Sequence, residues 1–261
     1  MATAGALSNY AENKFIDLVM AETVFAAPTT CYLGLCTLAA DTGVTEVAYT
    51  NYARQAITFG APSGRAITQS AEISFPQCGA TGATADFYGI FDAVSAGNFL
   101  GWGVITPQKV IVENNTPKVA ASQVVITVDA GKMSNYLAQA MLNHIFRATA
   151  YTAPTDRYLA FSTVAITDAS TGTTITEPAA GYVRKTSGVW TVTAGAAVNA
   201  ADETFATPSG SWGVITATAV LDAATVGNLL FYDDAPTGEG QTPTTGDPVK
   251  FLAGEFSVSV A

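Results

Sequence analysis

The apolar positions of this chain change period twice, from helical spacing to strand-like alternation, and the two changes are a fixed distance apart. In residues 9–22, NYAENKFIDLVMAE, Tyr10, Lys14 and Asp17 fall at helical spacings behind Ser8, which can cap the segment. In residues 135–148, NYLAQAMLNHIFRA, Leu137, Met141, Ile145 and Phe146 share one face behind Ser134. That face predicts packing against the segment's own domain. After each helix the period falls to two, in TCYLGLCTL (30–38) and DRYLAFSTV (156–164). Strand-like segments follow near 52–59, 72–75, 84–91, 98–105, 109–112 and 119–128, with counterparts near 182–193, 202–206, 212–221, 228–233 and 249–260. Gly, Pro, Thr and Asn between them supply turns. The expected fold is mainly β: two tandem β-sandwich, jelly-roll-like units, each preceded by one N-terminal α-helix.

The second half repeats the first. Ser8-Asn9-Tyr10 recurs as Ser134-Asn135-Tyr136 and Ala27-Pro28-Thr29 as Ala153-Pro154-Thr155, both 126 residues on. Tyr52-Ala53-Arg54 recurs as Tyr182-Val183-Arg184, and Asp92 as Asp222, both 130 residues on. VVITV (124–128) matches FSVSV (256–260) at 132. The offset grows only between blocks, as it does when loops accept insertions and elements do not. The expected domains are residues 1–130 and 131–261, joined by the short junction DAGKMS (129–134).

One phrase looks like chemistry. Residues 90–100 read IFDAVSAGNFL and residues 220–230 read VLDAATVGNLL. An aspartate facing a Gly-Asn turn could line a catalytic or metal site. A hairpin explains the retained positions as well: the Asp accepts backbone N–H groups at the start of the turn, and Gly or Asn takes positive φ at its end. The hairpin is the preferred reading.

Composition narrows the function. The chain has 261 residues, 49% hydrophobic and only 12% charged, with a formal net charge of −10. Its positives, among them Lys14, Arg54, Arg65, Lys109, Lys118, Arg147 and Arg157, lie singly, so no cluster suited to nucleic-acid phosphates is present. Cys31, Cys36 and Cys78 are the only cysteines. An odd count, with Cys31 and Cys36 expected on opposite faces of a strand, predicts buried thiols in a reducing compartment. The segment MATAGALSNYAENK lacks the features of a signal peptide, and no apolar run approaches the roughly 20 residues of a membrane helix.

Candidate chemistry is sparse. His144 is the single histidine; its counterpart in the first half is Leu18, and it is expected as a solvated helix-surface residue. No Cys-x-x-Cys pair, phosphate-cradling Gly-rich loop or Gly-x-Ser-x-Gly elbow occurs. Asp86, Asp92, Asp222, Asp233 and Asp234 could form a glycosidase carboxylate pair, but most acids here stand in turn contexts. Trp102, Trp190 and Trp212 fall in β segments, where core packing is expected. The loop 234–247, with Asp234, Glu239 and Asp247, lacks EF-hand spacing and reads as a loop before it reads as a calcium site. No catalytic, cofactor-binding or metal residue is assigned.

The blocks Leu7–Asn13, Ala27–Leu35, Tyr52–Arg54 and Phe91–Leu100, with Ala153–Phe161, Gly181–Arg184 and Leu221–Leu230, resemble a family of small tailed-bacteriophage virion proteins. Members carry structural, tail-fibre or capsid-decoration labels and are usually a single unit. The resemblance implies a non-enzymatic virion component, assembled in the host cytoplasm. It further implies a decoration (cement) protein on the capsid surface, a homo-oligomer bridging major capsid protein subunits and neighbouring copies of itself, with neither nucleic acid nor membrane as partner. A tail or tail-fibre component in host attachment is the alternative.

Overall fold

A computed structural model of the chain describes residues 5–21, 23–129, 132–193, 195–234 and 241–260, and of Asp234 the backbone alone. Helix α1 spans Asn9–Met20 and α2 spans Asn135–Phe146, each ending two residues before the apolar pattern does. Ser8 and Ser134 cap them: Ser8 Oγ accepts the Ala11 N–H at 3.2 Å and Ser134 Oγ the Leu137 N–H at 3.1 Å. Such a cap contributes about 1 kcal/mol. Each hydroxyl also donates its own proton to a strand carbonyl, Phe99 O in one copy and Leu229 O in the other. The caps therefore fix where each helix leaves the sheet.

In the first repeat the strands are β1 (Ala6–Leu7), β2 (Cys31–Ala40), β3 (Gly43–Glu46), β4 (Gln55–Ile57), β5 (Ala66–Thr68), β6 (Ile73–Ser74), β7 (Ala83–Phe91), β8 (Phe99–Ile111), β9 (Lys118–Val119) and β10 (Val125–Thr127). The main sheet is antiparallel, in the order β1-β8-β7-β2-β3, with β4 also on β2; the pairs β5–β10 and β6–β9 stand apart. The segments expected at 98–105 and 109–112 are one strand, β8, whose register on β7 shifts near Ala85.

The second repeat has β11 (Tyr158–Ser162), β12 (Lys185–Thr186), β13 (Trp190–Thr193), β14 (Ala196–Asn199), β15 (Glu203–Thr204), β16 (Ala217–Leu221), β17 (Leu229–Asp234), β18 (Lys250–Phe251) and β19 (Ser257–Ser259). Its main sheet runs β12-β11-β16-β17, beside a three-stranded β13-β14-β19 sheet and the pair β15–β18. The fold is mainly β in two helix-first units. The shared frame is the hairpin β7–β8 or β16–β17 flanked by β2 or β11, all antiparallel.

The chain divides into two compact units that do not follow the repeats at the helices. Unit 1 runs up to Phe15, then takes Phe25–Asp129 and Gln139–Tyr151. Unit 2 takes Ile16–Val24, the chain from the junction to Ala138, and Thr152 onward. In unit 1 the core is filled by Phe15, Leu33, Leu35, Ile67, Tyr88, Ile90, Leu100 and Ile111. In unit 2 an aromatic cluster forms around Phe161, with Phe205 at 4.4 Å, Phe251 at 5.5 Å and Trp212 at 6.2 Å between ring centroids. All three cysteines are buried free thiols, and burial pushes those of Cys31 and Cys36 up to about 12. No described helix is long and apolar enough to cross a membrane.

Glu12 in the first turn of α1 is unusual. Burial first, then Asp41 and Asp129, push its carboxyl up to about 7. A carboxyl harder to ionise when folded than when unfolded carries no penalty below about pH 4 and its full penalty above pH 7. This group's contribution to stability therefore falls as pH rises from about 5 to 8. Glu12→Gln removes it: the urea midpoint of the variant minus that of the parent should increase over that range. A pH-independent difference would contradict the placement of Glu12.

Candidate functional site

The duplicated residues meet at one place in each unit, the connection between the two long hairpin strands. In the first copy Asp92 Oδ1 accepts the Asn98 backbone N–H at 2.6 Å and Oδ2 accepts the Asn98 side-chain amide at 2.6 Å. In the second copy Asp222 and Asn228 do the same, at 2.6 and 2.7 Å. Each loop closes through a backbone bond as well, from the Asp N–H to the Asn carbonyl at 3.2 Å. Gly97 and Gly227 sit at φ +74° and +75°. A methyl group added at either would lie 2.5 Å from the aspartate Oδ1, so only glycine leaves room for the carboxylate bonds.

The residue before each glycine is also left-handed, Ala96 at φ 51° and Val226 at φ 57°. For a β-branched valine this is strained backbone, of order 1–3 kcal/mol. An arginine holds it in place. Arg54 Nη1 donates to Ala93 O at 3.0 Å and Ala96 O at 2.6 Å; Arg184 Nη1 donates to Ala223 O at 2.8 Å and Val226 O at 2.7 Å. The other side of each guanidinium grips a glutamate, Glu46 for Arg54 and Glu177 for Arg184, in two-pronged ion pairs. Arg184 is nearly inaccessible, its side chain 2% exposed. Arg54 also lies flat on the Phe91 ring, 3.3 Å from its centroid.

The tyrosine of each Tyr-x-Arg block ties this clamp to the central strand. Tyr52 Oη accepts the Leu35 N–H at 3.0 Å and Tyr182 Oη accepts the Phe161 N–H at 2.8 Å. Tyr52 also donates to Glu46 Oε2 at 2.6 Å. Burial raises both phenols well above their ordinary value, so both keep their protons. At the outer edge Tyr10 and Tyr136 stand near Asp92 and Asp222; burial first and then those carboxylates raise their hydroxyls. The duplicated Asp, Asn, Arg, Glu and Tyr at this loop are thus engaged with one another and with the backbone.

The chain matches a protein family described as podophage GP4 fiber I protein gp80, and matches it twice, over residues 6–127 and 132–259. The chain belongs to that family. It is a fibre-type phage virion protein carrying the family's unit in tandem. No curated protein matches the chain.

The other candidates of this gp80-family chain lie on several different elements. Asp86 lies within β7, Asp92 and Asp222 are spent in their own loops, and Asp233 pairs with Lys132 at 3.3 Å. The side chain of Asp234 and all of Glu239 lie outside the described residues, whereas Asp247 Oδ2 closes a local turn on Thr244 at 2.7 and 2.9 Å. Among the described residues no group of three or more His, Cys, Asp or Glu is placed to hold a metal. The expectation of a solvated His144 is corrected: it is 1% exposed, packed on Phe25 and Phe15, and its Nδ1 accepts the Tyr151 N–H at 3.0 Å. Burial lowers its tendency to protonate. Trp190 and Trp212 are core residues, although Trp212 lies before β16 and not in a strand. Trp102 is half-buried and donates to Asp41 Oδ1 at 2.9 Å.

The residues missed in the sequence are the glutamates. Thr45-Glu46 and Thr176-Glu177 form a shared dipeptide a few residues before each Tyr-x-Arg. Removing one partner of a fully buried ion pair costs about 3–5 kcal/mol, and the 26% exposure of the Glu177 side chain puts this pair at the low end. Arg184→Met should lose about that much stability in urea titrations, and Gly97→Ala about 1–3 kcal/mol from the forced left-handed backbone. Stability unchanged by Arg184→Met would contradict a structural role for the clamp.

Proposed function

We propose that this chain is a non-enzymatic structural subunit of a podophage tail-fibre apparatus, working through surface complementarity and rigidity. The observation that supports the reading is the use of the duplicated side chains. In both copies the Asp, Asn, Arg, Glu and Tyr that look like site residues satisfy one another and the backbone of the loop. A site selected for chemistry keeps polar groups facing a substrate; here they face the fold. The family description, a fibre protein, favours the tail over the shell. Neighbouring copies of itself and other virion proteins are the partners this reading calls for, with no role for nucleic acid or membrane.

The second reading, a decoration protein on the capsid surface that bridges major capsid subunits, draws on the acidic, turn-rich, doubled unit. Two linked units can engage two neighbouring positions at a high effective concentration. Counting copies per purified particle, together with cryo-EM of the virion, separates the two. The tail reading expects a handful to a few dozen copies with density at the tail. Hundreds of copies over the shell would overturn it in favour of decoration.

A further inference from the structure

The two helices are built the same way at both ends, but they begin and finish in different units. Each starts in its own repeat's unit, where the capping serine is bonded to the hairpin strand. Residues Ile16–Met20 of α1 belong to unit 2, and Gln139–Phe146 of α2 belong to unit 1. The last carbonyls of a helix have no partner within it and need one from outside. In unit 1 the carbonyl of Ile145, near the end of α2, accepts the Cys31 thiol proton at 3.4 Å, at the first residue of β2. In unit 2 the carbonyl of Val19, near the end of α1, accepts Arg157 Nε–H at 2.7 Å, one residue before β11.

These two bonds are one contact made twice. Ile145 lies 126 residues after Val19, and Arg157 lies 126 residues after Cys31. Residue i of the first repeat therefore meets j of the second, and j of the first meets i of the second, which is the signature of an isologous pairing. Aromatic contacts in unit 1 extend it. His144 and Phe25 have ring centroids 5.0 Å apart, Phe15 and Tyr151 5.6 Å, and Phe59 and Phe146 5.2 Å. Phe15, Phe25 and Phe59 come from the first repeat, His144, Phe146 and Tyr151 from the second.

We propose that the tandem chain is an internally exchanged pair, in which each unit is closed by the last turns of the other repeat's helix. The start of the first long strand in each repeat is then a docking surface whose occupant is a helix end from a second copy of the repeat. The charged Arg157 and the neutral Cys31 at equivalent positions make the two docking contacts chemically different. The pairing is accordingly tuned for these two repeats in this arrangement. The inference stands whether the protein serves in the tail or on the shell.

The test is to cut the folded chain between the repeats. A protease site inserted after Asp129 and cleaved in the native protein should leave one species of the parental 26.8 kDa by light scattering, separable only in denaturant. In the cleaved protein Arg157→Ala should weaken the association at least tenfold, and Lys250→Ala, in an exposed ion pair with Asp202, should change it less than twofold. Two species of half mass at micromolar concentration would overturn the proposal, as would equal effects of the two substitutions. The uncut chain gives an independent reading that needs no insertion. Gly97→Ala in unit 1 should lower the urea midpoint reported by Trp190 and Trp212 in unit 2; an unmoved midpoint would overturn the exchange.

Discussion

Each repeat depends on a guanidinium that faces two ways. On one side Arg54 and Arg184 grip a glutamate; on the other they hold two carbonyls of a loop whose backbone would otherwise be strained. A lysine could supply the charge but not the planar fork that meets a carboxylate and two carbonyls at once. From the glutamate the network passes, in the first copy, through Tyr52 to the backbone of β2. From the loop it passes through the first residue of the next strand to the serine that caps the helix. Helix, central strand and hairpin are thereby oriented around one partly buried charge pair per repeat.

The copies differ in strand length and in the segment that brings the glutamate to the clamp. β2 has ten residues against five in β11, and β8 has thirteen against six in β17. The first copy continues β2 into the hairpin strand β3, whereas the second replaces it with a Thr-rich loop that sends Gly172 O to Arg184.

Much of the frame was legible in the sequence. The change of period located both helices to within two residues, and the exact recurrence of Asp, Gly and Asn gave the hairpin loop. Recurrence marks Arg54 and Arg184 but not what they touch, because the carbonyls they hold are remote in sequence and the nearby glutamates sit at the end of β3 in one copy and in a Thr-rich loop in the other. The burial of His144 is hidden from the sequence for a different reason. Its helix face looks polar locally, yet that half of α2 is covered by Phe15 and Phe25, more than a hundred residues away. Pattern reports which face of a helix is apolar in its own repeat; it carries no information about a surface supplied by another. The strand expected at 109–112 is present as the far end of β8, continuous with its neighbour across a register shift, and of the segment expected at 212–221 only Ala217–Leu221 is strand.

The central claim is that the Asp-Gly-Asn loops are rigid parts of the fold and not mobile lips of a site. Native-state hydrogen exchange of the Asn98 and Asn228 amides, each bonded to an aspartate Oδ1 at 2.6 Å, tests it most directly. If the loops are clamped, both amides exchange as slowly as those of Ile90 and Val220 in the neighbouring strands, through global opening alone. Exchange of either amide orders of magnitude faster than its strand, under conditions where the strand stays protected, would contradict the account.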